Sequence, residues 1–269
     1  MHRLGEYPLE DPPEVARLRA ALANASNDPD AAISLGLALS RAGCNYEASF
    51  LLRPLRASWK ATPAEAQAQA ALAAQAWWNK HGLEFARLKG AGDRAGALTL
   101  LDTRATDYWD QPPLLMHLSE FGAEDLEYDL AAHLLHRVAI LADRGLPKMD
   151  MSAFAYVPRA GLVDLLLRRG QAADARAAYD KLTPNPGNAM GHQILGIRTL
   201  VAAGEDDQAM EETAELLITA EAKRSGYSRE IRLDFVGSSA DLDRLRSRPD
   251  WPAMLDDPRS YLSERRSRG

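Results

Sequence analysis

Only one cysteine, Cys44, occurs among the 269 residues, so no disulfide can close within the chain, and a reducing cytoplasm is its expected setting. Long apolar runs are also missing. None approaches the roughly 18 residues that would argue for a membrane-spanning helix. The opening stretch, Met1 to Pro8, lacks the apolar centre of a signal peptide. The expectation is a soluble, cytoplasmic protein with no membrane insertion. Positive charge is not in excess: 32 Lys and Arg stand against 38 Asp and Glu, a net charge of −6, so nucleic acid is disfavoured as a partner. No alternating apolar–polar run of useful length argues for a strand. No P-loop, dinucleotide-binding glycine fingerprint or nucleophile elbow occurs, and no cofactor is expected.

What is present is a composition suited to a folded helical chain, with 46% apolar and 26% charged residues. Pro13 suits the first turn of a helix through Val15, Leu18 and Leu22. A second helix over about 30–42 carries Ile33, Leu35, Leu37 and Leu39, and a third over about 46–59 carries Phe50, Leu51, Leu52 and Leu55. The Ala-rich stretch 64–80 has high helix propensity. Residues 107–113 read as an aromatic, proline-containing loop, and a helix over about 124–144 opens with Glu124, Asp125 and Glu127, whose charge suits a helix N-terminus.

Four glycines share one spacing template. Gly43, Gly92, Gly170 and Gly204 each follow a Leu by four residues (Leu39, Leu88, Leu166, Leu200) and precede an Ala by five (Ala48, Ala97, Ala175, Ala209). Three carry a Leu twelve residues on (Leu55, Leu182, Leu216), and Gly170 and Gly204 are 34 residues apart. Read physically, each glycine is a tight turn between antiparallel helices where φ > 0 is needed. The Ala sits where the two helices cross, and the Leu residues face the partner helix. A recurring period of this length marks stacked helical hairpins.

The spacing resembles the tetratricopeptide repeat. In the first copy Leu35, Gly36, Gly43, Ala48, Leu52 and Leu55 follow that family's core pattern, with Pro63 slightly late. The copies at Gly170 and Gly204 match on turn, Ala and Leu but have Val163 and Ile197 where a small residue is usual. The copy at Gly92 has Arg104 in place of the last Leu, and segments 105–155 and 218–269 fit poorly. The resemblance implies an all-α solenoid of antiparallel hairpins forming one domain over 1–269. Its parts are an N-terminal segment and helix (1–28), about six to eight hairpins or part-hairpins (29–225), and a capping segment and tail (226–269). In that last part Leu242, Leu245, Trp251 and Leu255 are expected to cover the open end of the final hairpin.

The same resemblance implies a concave groove, lined by the first helix of each hairpin, that holds a peptide or partner protein. Its positions here are Ser40, Arg41, Lys89, Asp164, Arg168 and Arg198. The family's carboxylate-clamp pattern of Lys and Asn is not reproduced. Trp77 and Trp78, about 100° apart on a helix, cannot both face one narrow core stripe, so one is a candidate groove or interface anchor. Asp129, His133 and His136 share a helix face, a weak metal-site pattern without a further ligand cluster. Cys44 reads as a small apolar filler, and Asp206-Asp207 as capping residues.

The expected function is therefore non-catalytic: a protein- or peptide-binding scaffold or adaptor, with a homo-oligomer compatible with it. Two alternatives are carried forward. One is an all-helical enzyme or metal-binding protein with a site in 105–155. The other is a regulator of a nucleic-acid-linked process acting through the Arg-rich end, Arg265-Arg266-Ser267-Arg268.

Overall fold

The computed structural model describes residues 5, 7–24, 26–58, 81–102, 107, 109–146, 149, 151–184, 187–222, 235–237 and 239–268. Every regular element among them is helical. The chain divides into two compact units, Met1–Pro158 and Arg159–Gly269. The division falls inside a helix, at Pro158.

The first unit opens with α1 (Pro13–Asn24), α2 (Pro29–Arg41) and α3 (Asn45–Leu52), and a 3₁₀ stretch (Arg53–Ser58) continues α3. Asp28 caps α2 through the Asp30 amide, and Pro29 takes the first helical position, where its missing donor is harmless. Leu35, Leu39, Ala48 and Leu52 are buried together with Val15 of α1. Next come α4 (81–90), α5 (Arg94–Asp102), α6 (Pro112–Glu124) and α7 (Tyr128–Arg144). Their core joins Phe85, Leu101, Trp109, Leu115, Leu118, Leu134 and Val138.

The helix expected over 124–144 is α7, which starts four residues later, at Tyr128. α6 already begins at Pro112, inside the stretch read as a loop, and a turn at Asp125–Glu127 separates it from α7. Residues 112–144 form a complete hairpin that the glycine template does not mark, because its turn residue is a leucine.

That turn is the same as the others. Gly43, Gly92, Gly170 and Gly204 have φ of 75°, 73°, 71° and 84°, and Leu126 has φ of 63°. In all five the turn amide donates to the carbonyl three residues back. The following amide donates to the carbonyl four residues before the turn at 2.8–3.0 Å, the hydrogen-bond pattern of a Schellman C-cap. Ala131, five residues after Leu126, joins Ala48, Ala97, Ala175 and Ala209 in being 0% exposed. Val138, twelve after, is equally buried. Gly92 and Leu126 are 34 residues apart, as are Gly170 and Gly204.

The second unit holds the rest of α8 (Ser152–Arg168), α9 (Ala172–Tyr179), α10 (Ala189–Ala203) and α11 (Asp206–Ala222). Close approach explains Gly196 on α10: a Cβ there would meet the Tyr179 hydroxyl at 2.4 Å. The short helices Asp243–Arg246 and Trp251–Asp256, with the helix Pro258–Arg268, lay Leu242, Leu245, Trp251, Met254 and Leu262 onto the core of α10 and α11. Leu255 packs at its edge, as expected.

Candidate functional site

Six of the eight expected groove residues lie among the described residues; Trp77 and Trp78 lie outside them. All six stand on the first helix of a hairpin, and each has a polar partner. The Ser40 hydroxyl donates to Asn45 Oδ1 at 2.7 Å, and Arg41 Nη2 donates to Glu14 Oε1 at 3.0 Å. Lys89 Nζ reaches Glu120 Oε2 at 3.0 Å and lies 3.3 Å from His117 Nδ1. Burial pushes the Glu120 carboxyl up, but the bonds from Lys89 and His117 outweigh it and hold the group below the usual carboxylate range.

In the second unit Asp164, Arg168 and Arg198 come together. Asp164 accepts from Arg168 Nε at 2.7 Å and pairs with Arg198 Nη1 at 2.6 Å, while Arg198 Nε donates to Asp241. Burial disfavours the Arg198 charge, but the two aspartates outweigh it and raise its pKa. Glu120, Asp164 and Arg198 each stand six residues before their turn. The pairs Lys89–Glu120 and Asp164–Arg198 therefore tie first helix to first helix, α4 to α6 and α8 to α10.

A second cluster, absent from the sequence reading, lies in the first unit. Arg137 is set on the apolar face of α7 between Leu134, Val138 and Leu141, and its side chain is 1% exposed. It donates from Nε to the Trp109 carbonyl at 3.2 Å and from Nη1 to the Leu9 carbonyl at 2.5 Å. Its Nη2 lies 3.5 Å from Cys44 Sγ. One turn earlier His133 Nε2 is 2.9 Å from the Tyr7 carbonyl; that oxygen can only accept, so Nε2 carries the proton. Trp109 Nε1 donates to the Pro8 carbonyl at 2.9 Å. At the end of α7 Arg144 Nη1 grips both oxygens of Asp11 at 2.6 and 2.5 Å, and its Nη2 donates to Glu47 Oε2 at 2.9 Å. Arg19 bridges the same two carboxylates. Burial raises the Asp11 carboxyl, but Arg144 and Arg19 outweigh that and hold it below its ordinary value.

Asp110 lies beneath this cluster with no exposure. Its two oxygens accept from the backbone amides of Tyr46 and Glu47 at 3.2 and 2.7 Å. α3 begins after Cys44, whose side chain makes no capping bond, so Asp110 supplies the cap from 64 residues along the chain. Burial dominates its titration. The two amide bonds and Arg137 pull the carboxyl back down and Glu47 pushes it up, leaving it at about 7.

Cys44 is buried, and burial with the charge of Asp110 pushes its thiol well up, which suits a filler rather than a nucleophile. Asp129, His133 and His136 do not converge: His133 is turned to Tyr7, and among the described residues no three His, Cys, Asp or Glu side chains are grouped to hold a metal. Asp206 and Asp207, in the first turn of α11, pair with Arg244, and with Arg248 and Arg265 at 2.8 and 2.7 Å. The Arg-rich end is thereby partly neutralised, since Arg266 also meets Glu215 at 2.6 Å. No described helix is long and apolar enough to cross a membrane.

Arg137 carried one signal readable without coordinates, a cation inside the apolar stripe of a helix. Asp11, Arg19, Glu47 and Asp110 carried none, because nothing in their spacing says that they meet.

The class these features define is an all-α protein of helical hairpins closed by left-handed turns. Comparison with protein-family models, with curated proteins and with solved structures finds no match to this chain.

Proposed function

We propose that the chain is a degenerate tetratricopeptide-like solenoid that acts as a non-catalytic scaffold or adaptor, binding a protein or peptide along the face built by the first helices of its hairpins. One observation carries the reading. Five hairpins repeat the same turn and the same buried Ala, and within each unit ion pairs tie consecutive first helices side by side. Such a row of parallel first helices is a surface that a single hairpin cannot offer. On it Lys89 and Arg168 keep 47% and 48% of their side-chain surface exposed even when paired, so each is open to a ligand carboxylate. Exposed pairs of this kind add little stability, which makes their exchange for a partner's carboxylate inexpensive.

The test places a photo-crosslinking residue in turn at Ser40, Lys89 and Arg168 of the full chain in its native host. The captured protein is then purified, and its affinity is measured against Lys89→Glu and Arg168→Glu. Each reversal is expected to weaken the complex by about fivefold or more, the scale of one charge pair removed, with the thermal midpoint unchanged. Affinity unchanged in both variants would remove the first-helix face from the binding surface.

A further inference from the structure

Residues 7–11 lie across α7 and Trp109 as a peptide lies in a receptor. Their side chains alternate: Tyr7, Leu9 and Asp11 are half-buried, while Pro8 and Glu10 are exposed. That two-residue alternation is the pattern of an extended chain with one face bound. The bonds that hold the segment go mainly to groups any peptide offers. His133, Trp109 and Arg137 donate to the successive carbonyls of Tyr7, Pro8 and Leu9. Sequence enters at three alternate places: the Tyr7 ring packs 5.3 Å from that of Trp109, the Leu9 side chain is half-buried, and the Asp11 carboxylate is clamped by Arg144 and Arg19. Main-chain bonds for affinity and alternate side chains for specificity are how extended peptides are commonly read.

The receptor side is buried, while the segment is held at its surface. Trp109 and Arg137 are each 1% exposed. None of residues 7–11 is fully buried, and Tyr7 packs only at the edge of the core, beside Trp109. A segment attached by polar bonds and one ring contact at the edge of the core opens more readily than the helices beneath it. The donors it covers are costly to leave unpaired, so the cleft favours being filled by some carbonyl-rich chain. At its acidic end the cleft is not sealed. An open cavity of about 470 Å³ continues from Asp11 between Arg19, Arg144, Ile140 and the alanines of α1.

We infer that this cleft is a binding site for an extended segment of a partner protein bearing an aromatic, an apolar and a carboxylate side chain at alternate positions, and that residues 7–11 occupy it in cis. The tether gives the resident segment an effective concentration on the order of millimolar, so an outside peptide must compete with it. The site lies on α7, a second helix, and does not depend on the first-helix face.

The experiment uses the full chain and a dye-labelled peptide, Gly-Glu-Tyr-Pro-Leu-Glu-Asp-Pro, read by fluorescence anisotropy. Asp11→Ala weakens the resident segment and leaves the cleft intact. It is expected to bind the peptide about tenfold or more tightly than the wild type, because the tethered competitor is weakened. Adding Arg144→Glu to Asp11→Ala should abolish that gain, and a peptide with Asn for its Asp should lose it. No binding to folded Asp11→Ala at about 1 mM peptide, the scale of the tether's effective concentration, overturns the inference. So does a doubling of mass by sedimentation, which would make a second copy the occupant. Should Asp11→Ala fail to fold, the wild type decides through exchange of the Trp109 indole proton, which the Pro8 carbonyl covers. Exchange about a hundredfold or more above that of the Leu134 and Val138 amides is expected, since the segment detaches while the core stays closed. Equal rates would make residues 7–11 an inseparable part of the fold.

Discussion

Asp110 shows how much one buried carboxylate can carry. It satisfies two amides at the start of α3 and faces Glu47, Arg137 and Cys44, and burial raises its carboxyl from 3.8 to about 7. A carboxyl raised on folding means that the native state binds the proton more tightly than the unfolded state. Its stabilising contribution is then full below 3.8 and is lost as pH rises through about 7. Asp11 has the opposite sign: its lowered carboxyl contributes above 3.8 and loses that contribution only in more acidic solution. Between pH 5 and pH 8, therefore, Asp110 acts without interference from Asp11. Asp110→Asn, which does not titrate, should gain on the wild type by about 1 kcal/mol or more between pH 5 and pH 7 and hold that gain above it. The histidines are common to both proteins and cancel in the difference. Urea unfolding at each pH measures this, and parallel curves would show that Asp110 stays ionised throughout.

At the scale of the element, the turn after α6 is the informative one. A left-handed φ strains a residue with a Cβ by about 1–2 kcal/mol, and the four equivalent turns avoid this with glycine. Leu126 accepts the strain, and with 70% of its surface exposed it recovers little by burial. Leu126→Gly should stabilise the chain by about 0.5–1 kcal/mol, the relief being partly offset by glycine's greater freedom when unfolded. Gly204→Ala, in the same conformation, should destabilise it by about 1 kcal/mol. Denaturant midpoints check both, and a destabilised Leu126→Gly would mean that the leucine makes contacts that matter to the fold. The turn also explains a failure of sequence reading. Gly43, Gly92, Gly170 and Gly204 were legible because glycine is the inexpensive answer to φ > 0. At Leu126 the backbone adopts that conformation anyway, and only the Ala131 and Val138 spacing survives as a signal. Residues 105–155 break the glycine pattern in sequence while keeping, at Leu126, the turn geometry that glycine serves elsewhere.

At the largest scale, the weak point of the second unit is the open end of its α10–α11 hairpin. Leu242, Leu245, Trp251, Met254 and Leu262 cover the apolar face of that hairpin. Trp251 is 5% exposed there. Trp251→Ala should destabilise the unit 159–269 by about 3–5 kcal/mol, as expected for a large core aromatic removed, and should promote self-association through the uncovered face. Calorimetry and sedimentation read the two effects. A loss under about 1 kcal/mol would show that the segment rests on the hairpin without sealing it.

By itself the sequence determined the helical class, the turn glycines, the alanines at the helix crossings and the apolar residues of the closing segment. These follow from local rules: backbone sterics, side-chain size and a period that repeats along the chain. Only the tertiary structure decided that Asp110 caps a helix 64 residues away, that Asp164 meets Arg198, and that Arg19, Arg137 and Arg144 gather on residues 7–11. Charged and polar groups owe their partners to which helices pack together, and no spacing along the chain encodes that until the helices have packed.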